Sequence, residues 1–240
     1  MARLSFLLLL FVSTNVFAAS PYISAGGGFL RGSTTTLHDR DCSSTQPPAL
    51  FGCGFFARGA FGDSPLYRVA GGLSSPRSRV ELELASRPDL NLRANANFTG
   101  VAFPQPVRAR VSSRSALVIG ALDLGTARVR PFVAAGAGVA RNEASSVRFT
   151  FASIAPDATT TIRGGERMSF AWTTSAGASL ALTQSLHLDL AVRYDDLGDI
   201  RTDAGAATIV RPMRTLTIDI AGTRARIRAG GALATLRWNF

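Results

Sequence analysis

The chain has 240 residues, 46% of them hydrophobic, yet no window approaches the ~20 consecutive apolar residues of a spanning helix, which excludes a helical membrane protein. Gly is abundant at 23 residues and Ala, Val, Leu and Thr dominate the rest, a composition that suits short strands in one domain. All 26 basic residues are Arg and the formal net charge is +10; nucleic acid is the usual partner of such a balance, but an exported chain does not meet it, so anionic lipid head groups are the expected counter-charge.

Export is read from the start of the chain. Met1-Ala2-Arg3 gives a positive beginning, Leu4 to Val12 a short apolar stretch, and Val16-Phe17-Ala18 a cleavage region, so 1–19 is expected as a signal peptide and 20–240 as the mature barrel. Cys42 and Cys53 follow in a polar, Gly- and Pro-containing stretch, where passage through an oxidising compartment predicts a local disulfide. Two lone cysteines and two histidines, His38 and His187, stand at no ligand spacing, so no metal and no cofactor are expected.

Eight strands are expected: near Tyr22 to Arg31, Leu66 to Ser74, Arg79 to Leu92, Ser113 to Leu124, Val129 to Arg141, Met168 to Leu182, Leu186 to Leu197 and Thr223 to Phe240. In the seventh, Leu186, Leu188, Leu190, Val192 and Tyr194 share one face, opposite His187, Asp189, Ala191, Arg193 and Asp195. In the third, Val80, Leu82 and Leu84 oppose Arg79, Glu81 and Glu83. The sixth places Phe170 and Trp172 at one end of an apolar stripe, as an interfacial girdle requires. Connections alternate: short at 75–78, 125–128 and 183–185, long over about 32–65, 93–112, 142–167 and 198–222. This regularity predicts an all-β fold, a transmembrane antiparallel up-and-down β-barrel of eight strands, with ten as the alternative and a soluble sandwich as the competitor. Gly26-Gly27-Gly28 and Gly136-Ala137-Gly138 lack the Lys-Ser/Thr of a nucleotide loop and are read as room for strand curvature.

The last strand ends with Ala232, Ala234, Leu236, Trp238 and Phe240 in one lipid-facing row and Thr235 and Arg237 pointing inward. Trp238 and Phe240 look like the signal read by the outer-membrane barrel assembly machinery. Arg130-Pro131-Phe132 running into Gly136-Ala137-Gly138, Phe170-Ala171-Trp172, Ala191-Val192-Arg193-Tyr194-Asp195-Asp196 and Leu236-Arg237-Trp238-Asn239-Phe240 together resemble the opacity-protein and outer-membrane-protein-A type superfamily. That resemblance implies a small eight-stranded surface protein of the outer membrane of Gram-negative bacteria, with no periplasmic domain. The Cys42 and Cys53 pair departs from it.

In so narrow a barrel the side chains fill the lumen, and buried charges must pair. Arg79, Glu81, Glu83, Asp189, Arg193, Asp195 and Arg237 are the expected interior network. Arg224, Arg226 and Arg228 fall on the lipid-facing row beyond the ~11 residues that span the core, and predict a basic rim for lipopolysaccharide phosphates, unless a bulge at Gly230-Gly231 turns them inward. Function then resides in the exposed loops: a structural surface protein, adhesin or antigen whose receptor is unread, with a small-solute pore as second reading and a lipid A modifying enzyme as third. His38 and His187 are expected at opposite barrel ends, too far apart for a catalytic pair.

Overall fold

A computed structural model describes residues 19–39, 54, 56–97, 104–125, 127–152, 158–203, 205–211, 213–220 and 222–240. The leader and both cysteines lie outside the described residues. Sixteen strands follow in order: β1 Ser20–Gly32, β2 Thr34–Asp39, β3 Phe56–Phe61, β4 Asp63–Ser74, β5 Ser78–Arg87, β6 Leu92–Ala96, β7 Pro106–Ala109, β8 Val111–Asp123, β9 Val129–Ala144, β10 Val147–Thr150, β11 Thr159–Ile162, β12 Gly165–Ala181, β13 Leu186–Arg201, β14 Gly205–Arg211, β15 Arg214–Ile220 and β16 Thr223–Asn239. Eight of them pair in the order β1-β4-β5-β8-β9-β12-β13-β16, and β1 closes on β16. Every pairing is antiparallel, from Tyr22↔Asn239 to Gly32↔Ala229 along the closing seam.

The other eight strands continue these upward. Single residues, Ser33, Gly62 and Arg110, separate β1 from β2, β3 from β4 and β7 from β8. The upper strands pair in turn, β2-β3-β6-β7-β10-β11-β14-β15, and β2 also meets β16 through Thr223↔Asp39. The structure therefore differs from expectation in the four long connections, whose described residues are largely strand. The strand expected to run to Leu92 also stops earlier, at Arg87, and resumes as β6 after a turn at Pro88-Asp89.

Side-chain polarity inverts along the height of this tube. In the lower part the outward row of β8 carries Ala116, Val118 and Leu122, while Ser115 and Asp123 point in along with the apolar Leu117 and Ile119. Higher up, the outward positions of the same run are Arg108, Arg110 and Arg114, and Val107, Ala109 and Val111 are buried. β16 repeats the switch: Ala232, Ala234, Leu236 and Trp238 are outside below, Arg224, Arg226 and Arg228 outside above. A strand faces whichever solvent surrounds it, so the lower half suits hydrocarbon and the upper half water.

Around the lower half, Phe29, Tyr67, Val69, Leu82, Val118, Val139, Phe170, Val192 and Leu236 are among the exposed side chains of a continuous apolar belt. Leaving each in water costs about 1.5–3 kcal/mol, so the full circumference amounts to roughly tens of kcal/mol. Water-soluble monomers do not carry such a patch. On β9 the belt runs from Val129 to Val139, the ~9–11 residues of a tilted spanning strand. The upper half encloses an apolar core that includes Leu37, Phe61, Leu92, Val107, Phe149 and Ile162.

Two local features set the geometry. At the β1–β16 seam a Cβ on Gly28 would run into the Ala232 carbonyl, and one on Gly231 into that of Phe29, so only glycine lets these strands cross so closely. On β13 a bulge between Asp196 and Gly198 shifts the register against β16, with Gly198 at φ +74°. The bulge turns Leu197 and then Ile200 into the apolar core. Asn142 secures it, donating from its amide nitrogen to the carbonyls of Leu197 (2.7 Å) and Asp199 (3.2 Å).

Candidate functional site

The lumen of the lower half is a ladder of ion pairs. Nearest the short turns, Arg79 donates to Asp189 (2.8 Å) and Asp123 (3.0 Å), and Arg237 joins Asp189 at 3.2 Å while donating to Ser179 at 3.0 Å. Above them, Arg68 reaches Glu81 and Glu83, the latter at 2.9 Å, and the Tyr22 hydroxyl donates to Glu81 at 2.9 Å. Arg193 then holds Glu83 with both guanidinium arms and Asp195 through Nε, all at 2.7 Å. Arg87 closes the top on Asp195, 2.7 Å away, and Ser115. Five arginines thus face five carboxylates within the ladder, and Arg130, part-buried at the turn end beside His187, adds an inward-facing cation with no carboxylate of its own among the described residues.

All seven interior residues singled out from the sequence, Arg79, Glu81, Glu83, Asp189, Arg193, Asp195 and Arg237, stand in this ladder. Arg68, Arg87 and Asp123 were missed. Arg87 shares the parity of Arg79, Glu81 and Glu83 on β5, and that alternation could have found it. Two rings add flat contacts: Arg79 lies over Phe132 (4.8 Å to the centroid) and Arg237 over Tyr22 (5.6 Å).

Between the two tiers lies a cavity of about 40 Å³, lined by Tyr22, Ser24, Arg68, Phe132 and Thr235 among others. It has room for a few water molecules and none for a solute. Above Arg87 the apolar core of the upper half caps the ladder. His187 is buried at the turn end, 3.3 Å from Arg130, whereas His38 is exposed on β2 and opposite Arg224 in register. The histidines do not come together. Among the described residues no three His, Cys, Asp or Glu side chains gather as metal ligands would.

No protein-family model matches the chain, and no curated protein matches it. Among solved structures, the outer membrane protease OmpT of Escherichia coli aligns over 95% of this chain and 100% of its own at a TM-score of 0.51, with 8% identity. The fold is that of an outer-membrane β-barrel. The outer membrane protein OprG of Pseudomonas aeruginosa aligns over 92% of this chain and 96% of its own (TM-score 0.49, 12% identity), and neisserial surface protein A over 93% and 100% (0.48, 15%).

On this barrel the arginines of β16 stand just above the belt. The register through Gly230 and Gly231 is continuous with both neighbours, and Arg224, Arg226 and Arg228 are exposed on the outer face. The irregularity lies instead on β13, where buried Asp196 takes Arg226 at 2.9 Å and Arg228 at 3.2 Å. Trp238 and Phe240 sit at the opposite rim of the barrel, exposed, with the Phe240 amide donating to Pro21 O at 3.0 Å.

Proposed function

We propose that the chain is an integral surface protein of the outer membrane, a closed scaffold that presents its upper hairpins to the outside as an adhesin or antigen. The observation that carries this reading is the inversion of polarity along the strands: an apolar belt around a lumen of paired charges, continued by an arginine-studded wall around an apolar core. The first half fits hydrocarbon and the second fits water, which orients the hairpins outward and the short turns toward the periplasm. Trp238 and Phe240 serve as the assembly signal read by the barrel machinery. Arg224, Arg226 and Arg228 form a rim that meets lipopolysaccharide phosphates through charge-assisted hydrogen bonds.

A pore finds little support in this lumen, because paired charges fill the lower half and apolar side chains the upper. Catalysis on lipid A lacks a nucleophile and base within reach of one another in the two histidines. Planar-bilayer recording and liposome swelling test the scaffold: no stable openings and no solute-dependent swelling are expected, and discrete openings would overturn it. Heat-modifiable migration in detergent gels tests the barrel itself.

A further inference from the structure

Most outward arginines near the belt are neutralised on the barrel. Arg31 has Asp63 at 3.3 Å, Arg141 has Glu166 at 2.6 Å, and Arg226 and Arg228 share Asp196. Among the described residues Arg114 at the belt edge and Arg224 lack such a partner singly; higher on the wall a whole group lacks one. On the outer face of the upper wall, Arg93 of β6 stands directly opposite Arg108 of β7, and Arg108 directly opposite Arg148 of β10. Arg110, beside them, lines the same shallow groove with Ser145 and Ser146. None of these four guanidinium groups has a hydrogen bond or ion pair among the described residues, and the groove lining contains no carboxylate. Like charges directly opposite on neighbouring strands destabilise a sheet, so the barrel carries an unrelieved repulsion that a ligand with spaced anionic groups would remove.

Height selects the ligand. Arg114, in the row just above the apolar Ala116 and Val139, marks the belt edge, and Arg108 lies six positions further along the same outward row. That is about 20 Å of strand at ~3.3 Å per residue, or roughly 15 Å above the belt at a ~40° tilt. The polar layer of a phospholipid leaflet is only about 5–8 Å deep. The row also faces sideways, toward neighbouring lipids. Glu143 and Glu166 occupy the row just above Arg114 and Arg141, which separates the upper arginines from the belt edge.

We infer that Arg93, Arg108, Arg110 and Arg148 form a seat for the phosphorylated oligosaccharide of an outer-leaflet glycolipid, distinct from the lipid-anchor phosphates at the belt edge. This rests on the outer-membrane reading above. The test uses the full mature chain refolded in detergent micelles, with Arg93→Gln/Arg108→Gln/Arg148→Gln beside it. Each is titrated with lipopolysaccharide bearing a phosphorylated core, with lipid A alone, with phosphatidylglycerol, and with a soluble sulfated polysaccharide. The triple substitution is expected to weaken binding of the core-bearing glycolipid about tenfold or more and to leave lipid A and phosphatidylglycerol unchanged. Equal affinity of variant and parent for the core-bearing glycolipid overturns the seat, as does an equal loss on all lipids. Loss confined to the sulfated polysaccharide assigns the row to a surface glycan and also overturns it. Heat-modifiable migration separates the two levels: a parent chain without it sinks the outer-membrane reading, whereas a parent with it and an unaffected variant sinks only the seat. If the triple variant does not fold, Arg108→Gln alone is read in its place, since it removes both opposed pairs.

Discussion

Arg193 holds Glu83 in a two-pronged ion pair, each guanidinium nitrogen 2.7 Å from a different carboxylate oxygen, across the middle of the barrel. The same carboxylate also faces Arg68. Removing it leaves Arg193 with Asp195 alone and Arg68 with Glu81 alone, so the sealed tube holds an unbalanced positive charge. Glu83→Ala is expected to lower the unfolding free energy by about 3–5 kcal/mol, whereas replacing both Glu83 and Arg193 by apolar residues of similar volume costs less than the single change. Urea titration in lipid vesicles, followed by tryptophan fluorescence, reads the difference. A Glu83→Ala cost below that of the double replacement would mean that the ladder does not act as a paired unit.

The inversion of polarity makes the belt edge measurable one residue at a time. On β8, Val118 faces outward within the belt and Ser112 outward above it. Val118→Arg should cost about 2–4 kcal/mol of stability in vesicles and Ser112→Arg close to nothing. Equal costs at the two sites would move the edge or remove it.

Asp196 is buried beneath Arg226 and Arg228, whose side chains are about half exposed. Asp196→Asn should cost about 1 kcal/mol or less, because solvent screens the pair. It should also free both arginines, so affinity for lipopolysaccharide is expected to rise. Unchanged affinity in a micelle titration would count against the rim.

Gly198 holds the β13 bulge at a positive φ, and a Cβ there would press on Ser169. Gly198→Val should destabilise the barrel by about 1–3 kcal/mol and loosen the entry of Leu197 and Ile200 into the upper core. Urea midpoints and proteolysis of the upper hairpins both report it; a midpoint equal to that of the parent would show that the bulge tolerates a side chain.

The eight lower strands were legible from the turn clusters that end them and from period-two alternation, which Gly and Ala dilute in β1, β8 and β9; β9, read as Val129 to Arg141, runs to Ala144. The upper strands alternate just as clearly. Val107-Arg108-Ala109-Arg110-Val111 and Val147-Arg148-Phe149 are period-two runs, but they are short and carry the polar residue outward, so they read as loop once the long connections are taken for loops. Asp123 escaped notice because Gly120 and Ala121 dilute the contrast between the faces of its strand. The β13 bulge has no sequence signal beyond a glycine, and everything it does to Asp196 depends on pairing with a strand some thirty residues later.

The upper wall also bears on how such a tube reaches its resting place. If insertion proceeds from the turn side, the hairpins that carry Arg58, Arg93, Arg108, Arg148 and Arg224 must traverse the hydrocarbon ahead of the belt. An arginine at the midplane costs about 2–4 kcal/mol, so each leading hairpin meets a barrier that the finished protein no longer displays. Unassisted insertion is therefore expected to be slow in thick bilayers and to quicken as the bilayer thins, with the same arginines afterwards acting as a ratchet against slipping back.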